Sequence, residues 1–225
     1  MKKYAIIVAG GSGSRFGSTL PKQFALLCGE PVLMRTIRAF YAYDPHTDII
    51  VALPAEHISL WNDLCRQHTF SIGVTVVEGG ASRYESVKNA LSAIDSADGI
   101  VAVHDGARPL VTGRMIADGF DTAERTGSAI PVVAVTDTIR QLDRTGSHTV
   151  NRESLVAVQT PQVFNLRLLR DAYSTPPSPI FTDDASVVEY RGNDVTLYKG
   201  DVDNIKITHP NDLKIAELII AERNG

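Results

Sequence analysis

An apolar run that empties into glycine constrains this chain more than any other feature. Residues 5–9 carry no polar side chain, and the loop that follows reads Gly10-Gly11-Ser12-Gly13-Ser14-Arg15-Phe16-Gly17, closed by Pro21-Lys22-Gln23. A strand without polar alternation is buried on both faces, as in a parallel sheet covered by helices. A glycine loop at the end of such a strand lets backbone N–H groups approach a phosphate closely. The spacing fits neither common nucleotide loop. A P-loop needs Gly, four residues, then Gly-Lys-Ser/Thr, and this loop has no Gly-Lys pair. The dinucleotide fingerprint needs Gly-x-Gly-x-x-Gly opening straight into a helix. Gly11 and Gly13 fit, but Phe16 takes the third glycine's place and Pro21 interrupts a helix. What is left is a long loop with two cations, Arg15 and Lys22, spaced to hold a triphosphate. The competing reading is a surface loop with solvated charges.

Further along, short apolar runs alternate with segments of helical period. Strands are expected at 4–9, 48–53, 73–77, 99–103, 129–135 and 195–198. Helices are expected at 32–43, 56–68, 83–94, 114–126, 166–173, 183–191 and 211–223, with Thr182 and Asn211 in cap positions for the last two. The pattern predicts an α/β fold: three layers, a mostly parallel twisted sheet with helices on both faces. Ligands in such sheets bind beyond the carboxyl ends of the strands. Special polar stretches follow the strands here: Gly79-Gly80-Ala81-Ser82-Arg83 with Ser86, His104-Asp105-Gly106-Ala107-Arg108-Pro109, and Asp203-Asn204-Ile205-Lys206-Ile207-Thr208. Residues 136–159 break the alternation. Two short polar runs flank a Thr145-Gly146-Ser147 turn, a hairpin too polar for a sheet centre. An isolated hairpin is marginal in water, so it is expected to protrude as an arm and pack on a second subunit. The alternative is an edge hairpin folded back on its own domain.

Composition narrows the class. The 225 residues are 44% hydrophobic with a formal net charge of -4, which suits one globular domain over 1–225 and argues against nucleic-acid binding through a basic face. No apolar run reaches membrane-spanning length. The opening Met1-Lys2-Lys3-Tyr4 runs straight into the strand pattern without a signal-peptide cue. Cys28 and Cys65 lack metal-site spacing and read as reduced thiols, so the expected location is cytoplasmic.

Taken together, six stretches resemble the 2-C-methyl-D-erythritol 4-phosphate cytidylyltransferases. They are the Gly-Ser-Gly-Ser-Arg-Phe-Gly loop with Pro-Lys-Gln, Gly-Gly-Ala-Ser-Arg with Ser86, His-Asp-Gly-Ala-Arg-Pro, Val-Gln-Thr-Pro-Gln, Thr-Asp-Asp-Ala-Ser and Asp-Asn-Ile-Lys-Ile-Thr. They occur in order across residues 10–208. The ribitol-5-phosphate cytidylyltransferases share most of them. The His-Asp-Gly-Ala-Arg-Pro and Thr-Asp-Asp-Ala-Ser stretches look more like the methylerythritol enzymes, and the glycine loop looks somewhat more like the ribitol ones.

The resemblance implies a Rossmann-like nucleotidyltransferase fold and a reaction of CTP with a polyol phosphate. It implies catalytic roles for Arg15, Lys22 and Lys206 on the triphosphate. It places CTP against Ala9, Gly10, Gly11, Gly13, Gly80, Ala81, Ser86 and Asp105. It places the polyol phosphate against Asp105, Arg108, Thr138, Arg152, Thr160, Thr182, Asp183 and Lys206. Thr138 and Arg152 would serve the partner's site across a homodimer. Mg²⁺ is implied, held mainly by phosphates rather than by a protein cage. His104 reads as a structural imidazole, because no proton needs moving. Two remoter readings stay open. A nicotinamide-dependent dehydrogenase would want an acid ending the second strand, where the chain reads Ala52-Leu53-Pro54. A nucleotide-sugar glycosyltransferase would usually carry Asp-x-Asp where His104-Asp105-Gly106 stands.

Overall fold

The N-terminal apolar run becomes β1 (Lys3–Val8), with Tyr4, Ala5, Ile6 and Ile7 buried. The computed structural model describes residues 1–11 and 20–224. After the loop come the short β2 (Leu26–Leu27) and β3 (Glu30–Pro31), then α1 (Val32–Tyr43), β4 (Asp48–Leu53), α2 (Ala55–Gln67), β5 (Thr75–Glu78) and α3 (Arg83–Ser92). The second half runs β6 (Ile100–Asp105), α4 (Gly113–Thr126), β7 (Ser128–Ala134), β8 (Ile139–Asp143), β9 (Gly146–Val150), β10 (Val156–Val158) and β11 (Gln162–Asn165). It ends with α5 (Leu166–Ala172), α6 (Asp184–Tyr190), β12 (Leu197–Lys199) and α7 (Pro210–Asn224).

The main sheet runs β7-β11-β6-β1-β4-β5. β10 joins β7 beyond β11, and β12 pairs with β7 in parallel. β1, β4, β5 and β6 are mutually parallel. β11 runs antiparallel to both β6 and β7. Period-two alternation sends each strand's side chains to two cores. Ala5 and Ile7 face the layer of α1, α2 and α4, with Leu33, Ile37, Phe40, Trp61 and Phe120. Tyr4 and Ile6 face the layer of α3, α5 and α6, with Val87, Leu91, Leu169 and Val188. The three-layer, mostly parallel α/β fold is as expected. Register aligns the strand ends that matter. Val8 pairs with Ala52 on one side and Asp105 on the other, and Leu53 pairs with Glu78. The loops after β1, β5 and β6 therefore leave from one rim.

Five details differ from the sequence reading. β11 sits inside the sheet with Gln162, Val163 and Phe164 buried, although Pro161 and a polar first residue hide it in the sequence. Residues 156–158 belong to the main sheet, so the hairpin is confined to β8 and β9. Its turn is at Arg144-Thr145, held by Asp143 Oδ1 accepting from Thr145 N–H (2.8 Å). Strand β6 extends through Asp105, which therefore closes the strand rather than following it. Two caps also move. Asp183, not Thr182, caps α6 by accepting from Ser186 N–H (2.9 Å). At α7, the Asp212 carboxylate accepts from the N–H groups of Thr208 and His209 (2.7 Å each), and the helix starts at Pro210 rather than after Asn211.

Candidate active site

The shared rim holds a cavity bounded by the end of β1, the β5–α3 turn and the 206 segment. Ala9 is buried, and its N–H donates to Ala52 C=O (3.0 Å). Its own carbonyl accepts from the buried Gln23 amide (2.8 Å), so the far end of the glycine loop is tied back to its start. Gly10 and Gly11 are exposed on the cavity lip. Lys22, opening the single turn Lys22–Phe24 after Pro21, also lines the cavity. Gly13 and Arg15 lie outside the described residues.

Opposite, Gly79 and Gly80 enter α3. Gly80 N–H donates to Ser86 Oγ (3.1 Å), and Ser86 Oγ–H donates to Ser82 C=O (2.9 Å). Ser82 caps the helix reciprocally with Glu85, a capping box. A Cβ on Gly80 would lie 2.2 Å from Glu85 Cβ, so the wall there is bare backbone of necessity. Ser86 is buried, and its hydroxyl shapes this backbone wall. Ala81 is exposed on the lip and offers no polar side chain.

A second cavity adjoins the first. It is lined by Arg108, Thr160, Thr182 and Asp183, and it shares Arg83, Asp105 and Lys206 with its neighbour. Asp105 is the electrostatic centre of that shared wall. Its Oδ2 lies 2.8 Å from Lys206 Nζ and 3.4 Å from Arg108 Nε, and its Oδ1 lies 3.8 Å from Arg83 Nε. Burial works to raise the carboxyl's pKa, but Arg83, Lys206 and Arg108 overcome it, so the group stays ionised well below the usual carboxylate range.

Behind Asp105, His104 is fully buried against Phe40. Its Nε2 faces Arg108 C=O (3.1 Å), an acceptor only, so Nε2 carries the proton. Nδ1 then accepts from Thr160 Oγ–H (3.1 Å), and Thr160 Oγ accepts from Asp105 N–H (3.0 Å). Burial pushes the imidazole pKa down to about 4, against the opposing pull of the Arg108 carbonyl. His104 is thus a neutral spacer that fixes the Asp105 backbone, in line with the structural role expected of it. The Asp183 Oδ2 atom accepts from Gln162 Nε2 (2.7 Å), while its Oδ1 caps α6.

This geometry has relatives. The sequence profile described as "IspD: 2-C-methyl-D-erythritol 4-phosphate cytidylyltransferase" matches residues 4–222. The chain belongs to that family. The protein of that name from Bacteroides thetaiotaomicron is 50% identical over 220 residues, covering 98% of this chain and 100% of the relative. Its namesake from Phocaeicola vulgatus is 47% identical over 220 residues, with coverage of 98% and 100%. Among solved structures, 2-C-methyl-D-erythritol 4-phosphate cytidylyltransferase from Thermus thermophilus superposes with a TM-score of 0.78 at 32% identity, covering 97% of this chain and 98% of that one. The relatives carry the methylerythritol name rather than the ribitol one, so the stretches at the end of β6 and the start of α6 were the better guide to the polyol.

Within this cytidylyltransferase fold, the described residues expected to meet CTP and those expected to meet the polyol phosphate divide between the two cavities, with Asp105 and Lys206 common to both. Thr138 and Arg152 do not join them within one chain. Both are exposed at the foot of the hairpin, where Arg152 Nη1 donates to Thr136 C=O (2.5 Å). The β8–β9 hairpin itself is exposed along nearly its whole length, with Leu142 at 80% exposure.

The sequence reading quoted Arg83 within a motif and gave it no role, yet Arg83 lines both cavities. Its Nη1 and Nη2 fork onto the fully buried Asp184 (2.9 and 2.7 Å). Two acids stand together in Thr182-Asp183-Asp184, and only their placement at the start of a helix separates the cap from the ion pair. Gln23 and Gln162 were also missed. Each is a buried amide that braces a site loop, a role that leaves no local pattern.

Proposed function

We propose that this chain joins CTP to 2-C-methyl-D-erythritol 4-phosphate at the wall shared by the two cavities, giving 4-diphosphocytidyl-2-C-methyl-D-erythritol and pyrophosphate. An oxygen of the substrate's phosphate forms a bond to the α-phosphorus of CTP, and the bond from that phosphorus to the β-phosphate oxygen breaks in line. The nucleophile is already an anion near neutral pH, so the site needs positioning and positive charge rather than a strong base. The neutral, buried His104 suits that requirement.

The observation that carries this reading is the pair of cavities meeting at Arg83, Asp105 and Lys206. Ala9, Gly10, Gly11, Gly13, Gly80 and Ala81 would receive the nucleotide through backbone groups, in a slot held narrow by Ser86. Arg15 and Lys22 would hold the triphosphate and the leaving pyrophosphate. Lys206 would pass from Asp105 to the reacting phosphates. Asp105, Thr182 and Asp183 would meet polyol hydroxyls. Arg108 and Thr160 would hold Asp105 in place. We place Thr138 and Arg152 against the substrate phosphate of a partner subunit, which makes the active form a homodimer.

Magnesium fits this donor set as a phosphate-held ion. Asp105 is a single carboxylate common to both cavities, and no cluster of three or more metal-type side chains gathers among the described residues. Mg²⁺ typically takes one or two carboxylates and leaves the rest of its shell to phosphates and water. When bound, it would neutralise phosphate charge. No described helix is long and apolar enough to cross a membrane, and Cys28 and Cys65 are free. Both features suit a cytoplasmic enzyme, with the whole chain working as one unit.

Pyrophosphate release tests the reading. Purified protein with CTP and Mg²⁺ is expected to release pyrophosphate with 2-C-methyl-D-erythritol 4-phosphate, and far more slowly with ribitol 5-phosphate. Release with neither acceptor sinks the proposal.

A further inference from the structure

Arg83 is the charged group on the shared wall that the reaction chemistry does not explain. It stands at the first position of α3, immediately after the Ser82 cap. Both terminal nitrogens are spent on Asp184, which is fully buried and takes a further bond from Tyr173 O–H (2.6 Å). Tyr173 in turn stacks on Tyr84, with ring centroids 4.7 Å apart. Bidentate pairing fixes a guanidinium in plane as well as in position. Its Nε lies at ion-pair distance from Asp105, 3.8 Å from Oδ1. The other oxygen of Asp105 meets Lys206 and Arg108. Lys206 is exposed, and Arg108 is held by a bond from Nη1 to Asn204 C=O (2.7 Å), whereas Arg83 is locked from behind by two bonds to a buried carboxylate.

Burial works against the charge on Arg83, but Asp184 and then Asp105 more than offset it. A fixed cation beside Oδ1 holds the carboxylate plane, leaving Oδ2 to Lys206 and Arg108 at the wall common to both cavities.

Building on the proposed function, we infer that Arg83 is a positioning residue for cytidylyl transfer: anchored by Asp184, it orients the Asp105 carboxylate so that one group meets nucleotide and polyol phosphate together. Arg83 acts through Asp105 and does not itself bond to the reacting atoms.

A double-mutant cycle tests this, because groups that act through one another are non-additive. Arg83→Gln is expected to lower kcat/KM for 2-C-methyl-D-erythritol 4-phosphate about tenfold or more, which corresponds to about 1.4 kcal/mol. In an Asp105→Asn background, the same substitution is expected to change kcat/KM less than about threefold. Equal losses in the two backgrounds, or full activity in Arg83→Gln, overturn the inference. Removing the guanidinium leaves Asp184 buried and unpaired, which endangers folding. Arg83→Lys with its own Asp105→Asn cycle therefore runs in parallel, each variant checked by thermal melting. Lysine keeps the charge but lacks the fork, so it is expected to melt near wild type, lose activity, and show the same coupling. Wild-type activity in Arg83→Lys overturns the role of the fork. Inactive wild-type protein would instead count against the reaction assignment.

Discussion

At the scale of single residues, charge placement governs this site. Lys22 is brought to the first cavity by one tight turn after Pro21, and its side chain is not part of either main apolar layer. Lys22→Ala is expected to reduce turnover about a hundred- to a thousandfold, the range known for lost transition-state electrostatics, in a protein that remains folded. Near-normal turnover in a folded variant would remove Lys22 from the mechanism. His104 makes a different prediction. The folded imidazole takes a proton only near pH 4, while the unfolded one does so near 6.5. Between those values the unfolded state binds more protons, so stability is full above about pH 6.5 and falls as the pH drops through the window. The shift gives roughly 2 kcal/mol lost by pH 5 from this group on the linkage relation. Urea midpoints at pH 7 and pH 5 should show that loss in wild type and a clearly smaller one in His104→Gln. An equal loss in both would assign the acid sensitivity elsewhere.

At the scale of elements, the sequence was legible where periodicity is strong. The patterns for α1 and β4 match the observed bounds residue for residue, and the other helices are off by one or two positions at their ends. Strand β11 was not legible. Four residues after a proline, opened by a glutamine, carry no strand signature. Gln162 tolerates burial because its amide serves Asp183 Oδ2 and Ala185 N–H at once, partners that only folding supplies. Phe164, fully buried beside Val101 of β6 and Ser128 of β7, should be as costly to truncate as any core aromatic. Phe164→Ala is expected to lose about 3–5 kcal/mol in denaturant titration. A loss under about 1 kcal/mol, the range of tolerated core swaps, would show that the sheet does not depend on this strand.

At the scale of the whole molecule, the hairpin arm stands apart from the rest. The β8–β9 pair forms its own two-stranded sheet with exposed faces, and Thr138 and Arg152 stand at its foot, outside both cavities of the chain that carries them. A two-stranded ribbon is marginal by itself, which favours a second subunit as its support. The proposed shared site predicts that mixing Arg152→Ala subunits with Lys22→Ala subunits restores part of the activity that each variant lacks alone, since one mixed site would then be intact. No recovery in confirmed heterodimers would exclude a shared site.

Residue order alone determined the fold class and the rim on which chemistry gathers, because burial on both faces of a strand and glycine at its end are local properties that a chain cannot hide. It also carried the family, through short stretches that occur in order along the chain. Tertiary structure alone decided how those stretches share charge. Asp105, Arg83, Asp184 and Lys206 are up to 123 residues apart in the chain, and ion pairing falls off within a few ångströms in a way that no sequence spacing records. The glycine loop carried the expectation of phosphates at this rim. The wall of paired charges that lines both cavities is what folding adds to it.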